Sequence, residues 1–207
     1  MAFKLPKRYT EKANDSFKTK RNLYLFSKAL NNTWDTVGLE DFRQFSIDQD
    51  LVKVYVTIYW QYEPTYLIAG ERRIDEIQKD IARKETELKT DLEQFRQDYI
   101  SKVFYEKFPP EQFEILTNAG HCEYCGITIK QIHELADLQK LYKKNYRGWS
   151  LEIDRKDSNF EYSFDNCLMA CYWCNNAKTD EFTHEEFKKV GEVIKGIWKE
   201  REKSETK

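Results

Sequence analysis

HCEYC at residues 121–125 and ACYWCN at residues 170–175 are the two stretches that decide how the C-terminal half of the chain folds. Each contains two cysteines separated by two residues, and 45 residues lie between the two pairs. Four thiolates in two such pairs can bind one tetrahedral zinc ion and leave no coordination position open. The sequence therefore predicts a structural zinc site with four ligands: Cys122, Cys125, Cys171 and Cys174. Two unrelated cysteine pairs, or a redox CxxC motif, are the alternative.

Composition is consistent with metal-binding cysteines rather than disulfides. The 207 residues are 34% charged with a net charge of −2, and no apolar run approaches the roughly 18 residues of a membrane span. The first residues, MAFKLPKR, lack the apolar core of a secretory signal. We therefore expect a cytoplasmic protein, where paired cysteines usually bind metal and the fifth cysteine, Cys167, can stay unpaired.

The N-terminal segment is locally basic although the whole chain is not. Residues 1–30 hold eight lysines and arginines against two acids. A segment with that charge can contact phosphates or an acidic partner, and it can equally be the solvated face of a helix. Its apolar residues indicate a helix that packs along one side.

Two further segments organise residues 1–110, which we expect to be a helix-rich N-terminal region. Residues 51–60, LVKVYVTIYW, are rich in β-branched and aromatic side chains and predict a strand, with a buried helix as the alternative. Residues 71–108 contain no glycine or proline and repeat apolar side chains at helical spacing, which predicts a long amphipathic arm. The arm either packs on its own N-terminal region or forms a dimer or partner interface. Pro109 and Pro110 end it, so residues 111–207 form the second predicted domain.

The stretch between the cysteine pairs predicts a strand, a loop, a second strand and a helix. Residues 150–155 alternate apolar and acidic side chains as a strand does. Residues 156–165 are a polar loop, residues 166–170 a second short strand, and a helix begins at Cys171. With the N-terminal helices, this predicts a mostly helical α+β fold.

The run I-D-R-K-D-S-x-x-x-Y-S-x-x-N-x-x-x-A-C-x-x-C-N-x-x-K, from Ile153 to Lys178, resembles the HNH (ββα-metal) endonuclease family. It is most similar to zinc-bearing members that carry Asp-Arg where most carry Asp-His. The resemblance covers about residues 119–185. It implies a metal-dependent hydrolysis of phosphodiester bonds.

The resemblance assigns roles to individual residues. Asp154 and Asn175 match the ligands of a catalytic Mg²⁺ or Mn²⁺ ion, and oxygen ligands of this kind suit such ions. Asn166 matches the asparagine that orients the base and stiffens the loop. Lys178 matches a lysine that reaches a phosphate or braces the fold.

Arg155 occupies the position of the usual histidine base. An arginine stays protonated, so it can bind a phosphate but cannot accept a proton. Tyr162 stands at a tyrosine position of the Asp-Arg variant and is the predicted base or nucleophile. His121 and His133 are the reserve candidates.

Residues 142–149, YKKNYRGW, interleave bases and aromatics before the first predicted strand. Lys143, Lys144 and Arg147 are therefore candidate nucleic-acid contacts, with a packed aromatic turn as the alternative. Farther on, residues 183–186, THEE, predict a capping box that opens a closing helix with His184 exposed.

Together these features favour an endonuclease that cleaves DNA, with a setting in restriction or antiviral defence implied by the resemblance alone. A protein partner or homodimer through residues 1–110 is also expected. The alternatives are a non-catalytic zinc module that binds nucleic acid or a protein, and an HNH nuclease directed at RNA.

Overall fold

The computed structural model describes residues 6–142 and 146–203. The chain forms two compact units, one comprising Met1–Pro109 with Asn159–Tyr162 and the other Pro110–Ser158 with Ser163–Lys207. The mostly helical α+β fold is confirmed, because the described strands form only two small antiparallel sheets among the helices. None of the helices in the described part of the chain has both the length and the apolar character to cross a bilayer.

The N-terminal unit is built on helix α1, Lys7–Asn31, which begins after Pro6 and ends at Asn32 in the left-handed conformation (φ 52°). The remaining elements are the 3-10 turn Trp34–Thr36, α2 (Leu39–Gln44), α3 (Gln49–Lys53), a π-helix (Val54–Tyr59), β1 (Leu67–Ile68), β2 (Arg72–Arg73), α4 (Ile74–Glu87), α5 (Lys89–Asp98), a second π-helix (Tyr99–Val103) and α6 (Phe104–Lys107).

The strand predicted over residues 51–60 is wrong, because this segment is helical. The Asp48 side chain accepts a hydrogen bond from the Leu51 amide (2.8 Å) and caps α3. Tyr55 and Tyr59, one helical turn apart, stack on each other at 5.4 Å and both contact the Phe26 ring. Aromatic packing on α1 thus outweighs the strand propensity of the β-branched residues.

The predicted arm over residues 71–108 is helical but not continuous. It starts at Ile74 after the β1–β2 hairpin, distorts at Leu88 and widens into a π-helix at Tyr99. Tyr99 and Phe104, five residues apart, are both fully buried. A π-turn, which spans one residue more than an α-turn, lets both side chains face the same core.

The core of this unit is aromatic and lies between α1, α2 and α5. Phe42 stacks on Phe95 at 5.3 Å and meets Phe17 and Tyr24 edge to face. Such ring pairs add about 1 kcal/mol each beyond burial of their area.

The C-terminal unit holds the predicted zinc and hairpin segments. Its elements are α7 (Pro110–Thr117), α8 (Ile129–Asp137), β3 (Glu152–Arg155), β4 (Cys167–Ala170), α9 (Tyr172–Lys178) and α10 (His184–Lys203). β3 and β4 pair antiparallel, with Asp154 opposite Leu168. Both strands are shorter than the predicted ranges, by two residues and by one, at their N-terminal ends.

Helix α10 begins at the predicted capping box, where Thr183 and Glu186 bond each other's backbone amides (3.0 and 3.2 Å). Phe187, Gly191 and Trp198 form its buried side, whereas Val190 and Ile197 are exposed. The prediction that His184 is exposed is wrong, since its side chain is only 16% exposed. Gly191 lets α10 lie close to Tyr124, because a β-carbon at residue 191 would be 2.5 Å from the Tyr124 carbonyl oxygen.

Candidate functional site

The four predicted zinc ligands come together in the C-terminal unit. The sulfurs of Cys122, Cys125, Cys171 and Cys174 all lie within 4.8 Å of one another, and all four residues are buried. The Cys125 and Cys171 sulfurs are 3.7 Å apart. Four 2.3 Å bonds to a tetrahedral zinc ion place sulfurs about 3.8 Å apart, so the cluster fits that ion.

Backbone hydrogen bonds join the first cysteine pair to the hairpin. Gly126, at φ +74°, donates to the Cys122 carbonyl (2.8 Å), and the Glu123 amide donates to the Met169 carbonyl on β4 (2.9 Å). Cys171 is the N-cap residue of α9. The cysteine cluster therefore joins the turn of residues 121–126, called the zinc knuckle below, to β4 and to the start of α9.

Strand β3 presents two carboxylates on one face. Successive side chains of a strand alternate between its faces, so Glu152 and Asp154 share the face opposite the buried Ile153. Asn175 and Lys178, three residues apart on α9, contact this acidic face: Asn175 bonds Glu152, and Lys178 lies near Asp154.

Asp154 is held by a tyrosine and a lysine. The Tyr124 hydroxyl donates to Asp154 Oδ2 (2.9 Å), and Lys178 Nζ lies 3.6 Å from the same oxygen. Burial raises the pKa of Asp154, and Lys178 and Tyr124 oppose that rise only in part. Both side-chain contacts use Oδ2, so neither of these neighbours occupies Oδ1.

Lys178 contacts strand β3, as one of its two predicted roles, bracing the fold, requires. It is 1% exposed and donates to the Arg155 carbonyl (2.9 Å), which joins α9 to β3. A buried ammonium needs such partners because an unpaired charge in an apolar interior is costly.

Asn175 bonds to Glu152 rather than to Asp154 in this structure. Its Nδ2 donates to Glu152 Oε2 (2.7 Å), so the amide nitrogen faces the carboxylate. Arg147, a predicted nucleic-acid contact, forms a two-pronged ion pair with Glu152 (2.9 Å to each oxygen) and lies over the Tyr172 ring. Glu152, which sequence reasoning did not single out, therefore links the predicted metal ligand to a basic side chain.

Asn166 closes the loop between β3 and β4. Its side-chain Oδ1 accepts a hydrogen bond from the Asp157 backbone N–H, and its Nδ2 donates one to the Asp157 carbonyl, both at 3.0 Å. The Lys156 amide donates to the Asn166 carbonyl (2.7 Å). These bonds agree with a stiffening role for this asparagine.

Arg155 was predicted to bind a phosphate, and Tyr162 to activate the attacking water. The surroundings of both residues differ from those of Asp154 and Asn175. Strand alternation directs Arg155 to the face opposite Asp154. Tyr162 is buried within the N-terminal unit, where its amide donates to Ser16 Oγ (2.7 Å) and Lys12 Nζ donates to its hydroxyl (3.1 Å). The roles of both residues stay predictions.

The remaining predicted site residues are two lysines and two histidines. Lys143 and Lys144 lie outside the described residues. His121 has a side chain that is 56% exposed near Glu123, and His133 contacts the Trp149 ring at 6.0 Å. Neither histidine is among the residues in contact with the acidic face.

Tyr124 and His184 are the neighbours of Asp154 that sequence reasoning missed. His184 Nδ1 lies 3.4 Å from the Tyr124 hydroxyl oxygen, and the two rings are 5.6 Å apart. The position of Tyr124 inside a zinc knuckle was the available signal, because a residue between two ligands is held in place by the metal. For His184 no such signal exists, since its approach depends on Gly191.

No family model and no curated protein matches the chain. Among solved structures, the chain is similar to one described as the rare-cutting HNH restriction endonuclease PacI, a protein that perturbs DNA. The alignment covers 46% of this chain and 67% of that chain, with 31% sequence identity and a TM-score of 0.39.

Proposed function

We propose that the C-terminal unit is a zinc-stabilised, metal-dependent endonuclease of HNH type that hydrolyses DNA. One observation carries the proposal: a hairpin joined to a four-cysteine cluster holds Asp154 on the same strand face that receives Asn175 from α9. Restriction or antiviral defence is the setting we infer from the sequence resemblance.

The acidic face has the chemistry of a Mg²⁺ or Mn²⁺ site. Glu152 engages the nitrogen of the Asn175 amide, which leaves its carbonyl oxygen as the atom available for a cation. Carboxylate and amide oxygens with waters are the donors these ions prefer. Asp154 and Asn175 would hold the ion, whose contribution when bound is to neutralise charge on the phosphate and the leaving oxygen.

The other residues bind and orient. Lys178 and Tyr124 both contact Asp154 Oδ2 and so restrict the carboxylate. Less side-chain freedom is then lost when an ion binds to it. Asn166 sets the shape of the loop that follows Arg155. Arg155 would bind a phosphate oxygen of the substrate, as arginine does well.

Tyr162 is the candidate from the sequence for activating the attacking water. The Tyr124 hydroxyl contacts Asp154 directly, and burial and the Asp154 charge raise the pKa of Tyr124, so it stays protonated and orients the carboxylate. Tyr124→Phe and Tyr162→Phe separate the two roles, since each removes one hydroxyl and leaves the ring. We expect Tyr162→Phe to lower the cleavage rate on the order of 100-fold, the usual size of a general acid–base contribution, and Tyr124→Phe to lower it by about tenfold, as loss of a group that orients a metal ligand does.

The test is cleavage of supercoiled plasmid by the zinc-loaded protein with added Mg²⁺ or Mn²⁺. Asp154→Ala and Asn175→Ala should each abolish cleavage. Asn176→Ala is the matched control, because Asn176 is the next residue of α9, is exposed, and donates its side-chain amide to the Tyr172 carbonyl of its own helix. It should cleave like the unmodified protein.

The outcomes distinguish the alternatives. Cleavage of a structured RNA but not of plasmid would assign the site to RNA. Binding of either nucleic acid without cleavage under any metal would identify a non-catalytic zinc module. A protein partner or a homodimer through residues 1–110 also stays a prediction, and light scattering of the purified chain tests the second.

A further inference from the structure

Arg155 replaces the histidine that the Asp-His pattern supplies, so that position carries no group that exchanges a proton near neutral pH. The structure brings one histidine to the neighbourhood of Asp154, and it comes from α10, outside the hairpin and its helix. His184 reaches Asp154 through the hydroxyl of Tyr124.

The hydrogen bonds define which atom carries each proton. A phenol has a single proton, and that of Tyr124 is donated to Asp154 Oδ2 (2.9 Å). The contact of 3.4 Å with His184 then requires the ring to be the donor through Nδ1. His184, Tyr124 and Asp154 thus form a directed series that ends on the carboxylate.

Packing fixes this series in place. The Tyr124 ring meets Phe187 of α10 edge to face at 5.0 Å, and Gly191 allows the helix to touch the Tyr124 carbonyl. The capping box at Thr183 sets the first turn of α10, which carries His184. Both ends of the contact are therefore held by the fold rather than by flexible side chains.

We propose that His184 is a positioning residue of the Asp154 site, which orients the Tyr124 hydroxyl and makes the site sensitive to pH. The proposal depends on the function proposed above. Outer partners of metal-binding residues commonly change affinity or activity 10- to 100-fold when removed. A protonated His184 would also add positive charge beside a cation site, which weakens cation binding.

Several charges face His184. Lys188 and Glu185 lie on its own helix, Lys156 on the segment after β3, and Glu123 in the knuckle. Burial, Lys188 and Lys156 lower the pKa of His184, and Glu185 and Glu123 act against them. The net effect lowers the pKa of His184, so protonation of its ring moves toward more acidic solution.

The experiment combines NMR with metal binding in the zinc-loaded protein. The chain has three histidines, so long-range ¹H–¹⁵N spectra of the rings are simple, and His184→Gln assigns the signal. We expect the Nδ1-protonated tautomer for His184 and a changed ring spectrum in Tyr124→Phe. An Nε2-protonated tautomer that Tyr124→Phe leaves unchanged would overturn the proposal.

Binding of Mn²⁺ is then measured by electron paramagnetic resonance from pH 5 to 8. We expect His184→Ala to weaken binding at pH 7 by at least tenfold, and His184→Gln, which keeps a donor, to retain most of it and to respond less to acid. Unchanged affinity and pH response in both variants would contradict the proposal. If Asp154→Ala also binds Mn²⁺ normally, the proposed function itself fails, and the two failures are thereby distinguished.

Discussion

Two carboxylates with little exposure, one in each unit, have the same kinds of side-chain partner in different arrangements. Glu161, in the N-terminal unit, is bonded at one oxygen by the Tyr99 hydroxyl and at the other by Lys107 Nζ, both at 2.6 Å. Asp154, in the C-terminal unit, meets a tyrosine at 2.9 Å and a lysine at 3.6 Å, both at Oδ2. The two side-chain partners of Glu161 use both of its oxygens, whereas those of Asp154 share one oxygen.

The partners of these two carboxylates separate a structural acid from a candidate functional acid. A carboxylate with charge-assisted bonds to both oxygens stabilises the fold that surrounds it. A carboxylate whose burial raises its pKa, as for Asp154, is incompletely compensated, which costs stability and is typical of functional sites.

Loss of zinc should have the largest effect on stability. It should destabilise the C-terminal unit, which contains Asp154, and leave the N-terminal unit, which contains Glu161, folded. Structural zinc contributes roughly 10 kcal/mol in small zinc domains, so Cys171→Ser or a strong chelator should unfold the surroundings of Asp154. Hydrogen-exchange mass spectrometry should show lost protection in β3, β4 and α9. Helix α1 and the aromatic core around Phe42 should keep theirs. Equal loss in both units would show that their stabilities are not separate.

Isosteric substitutions should separate the two carboxylates. Glu161→Gln weakens bonds to Tyr99 and Lys107 and should lower the free energy of unfolding by about 2 kcal/mol. Asp154→Asn removes a charge that burial opposes but also takes a counter-charge from the buried Lys178, so the two effects should largely cancel and the net change should stay below about 1 kcal/mol. Urea unfolding of the zinc-loaded variants measures both values. The reverse order would mean that Asp154 is the structural acid.

Substitution of Asp98 should have the smallest effect on stability, and that effect should depend on pH. Hydrogen bonds from Arg43 (2.5 and 2.7 Å) hold the pKa of Asp98 at about 2, below its ordinary value of 3.8. A lowered carboxyl pKa contributes stability that is present above the unfolded value and is lost as pH falls through about 2. Asp98→Asn should therefore cost about 1 kcal/mol at pH 7 and much less at pH 2.

Comparison of thermal unfolding at the two pH values checks this prediction, with Asp91→Asn as the control because Asp91 is exposed on the same helix. A cost that is equal at both values would contradict it.

Local patterns in the sequence predicted the parts of the fold that depend on spacing. The two cysteine pairs predicted the sulfur cluster, alternation predicted β3, and the THEE motif predicted the start of α10. For residues 51–60 the favoured strand was wrong and the helical alternative is observed, with Tyr55 and Tyr59 packed on Phe26 of a distant segment. Propensity does not contain such tertiary contacts.

The candidate site shows the same division. Asp154 and Asn175 were predicted from a motif, whereas the inclusion of Glu161 and Tyr162 in the N-terminal unit depends on contacts with α1, α6 and the π-helix that carries Tyr99. The approach of His184 depends on one glycine whose missing β-carbon makes room for a carbonyl. These are properties of the folded chain and have no periodic signal.

Calorimetric titration of Mn²⁺ into the zinc-loaded protein at pH 7.5 shows whether Asp154 and Asn175 bind the same hard cation. We expect one site per chain that Asp154→Ala and Asn175→Ala each weaken by at least tenfold, while Asn176→Ala and Glu161→Gln leave it unchanged. Equal affinity in the Asp154 and Asn176 variants would mean that Asp154 is not a ligand of the ion.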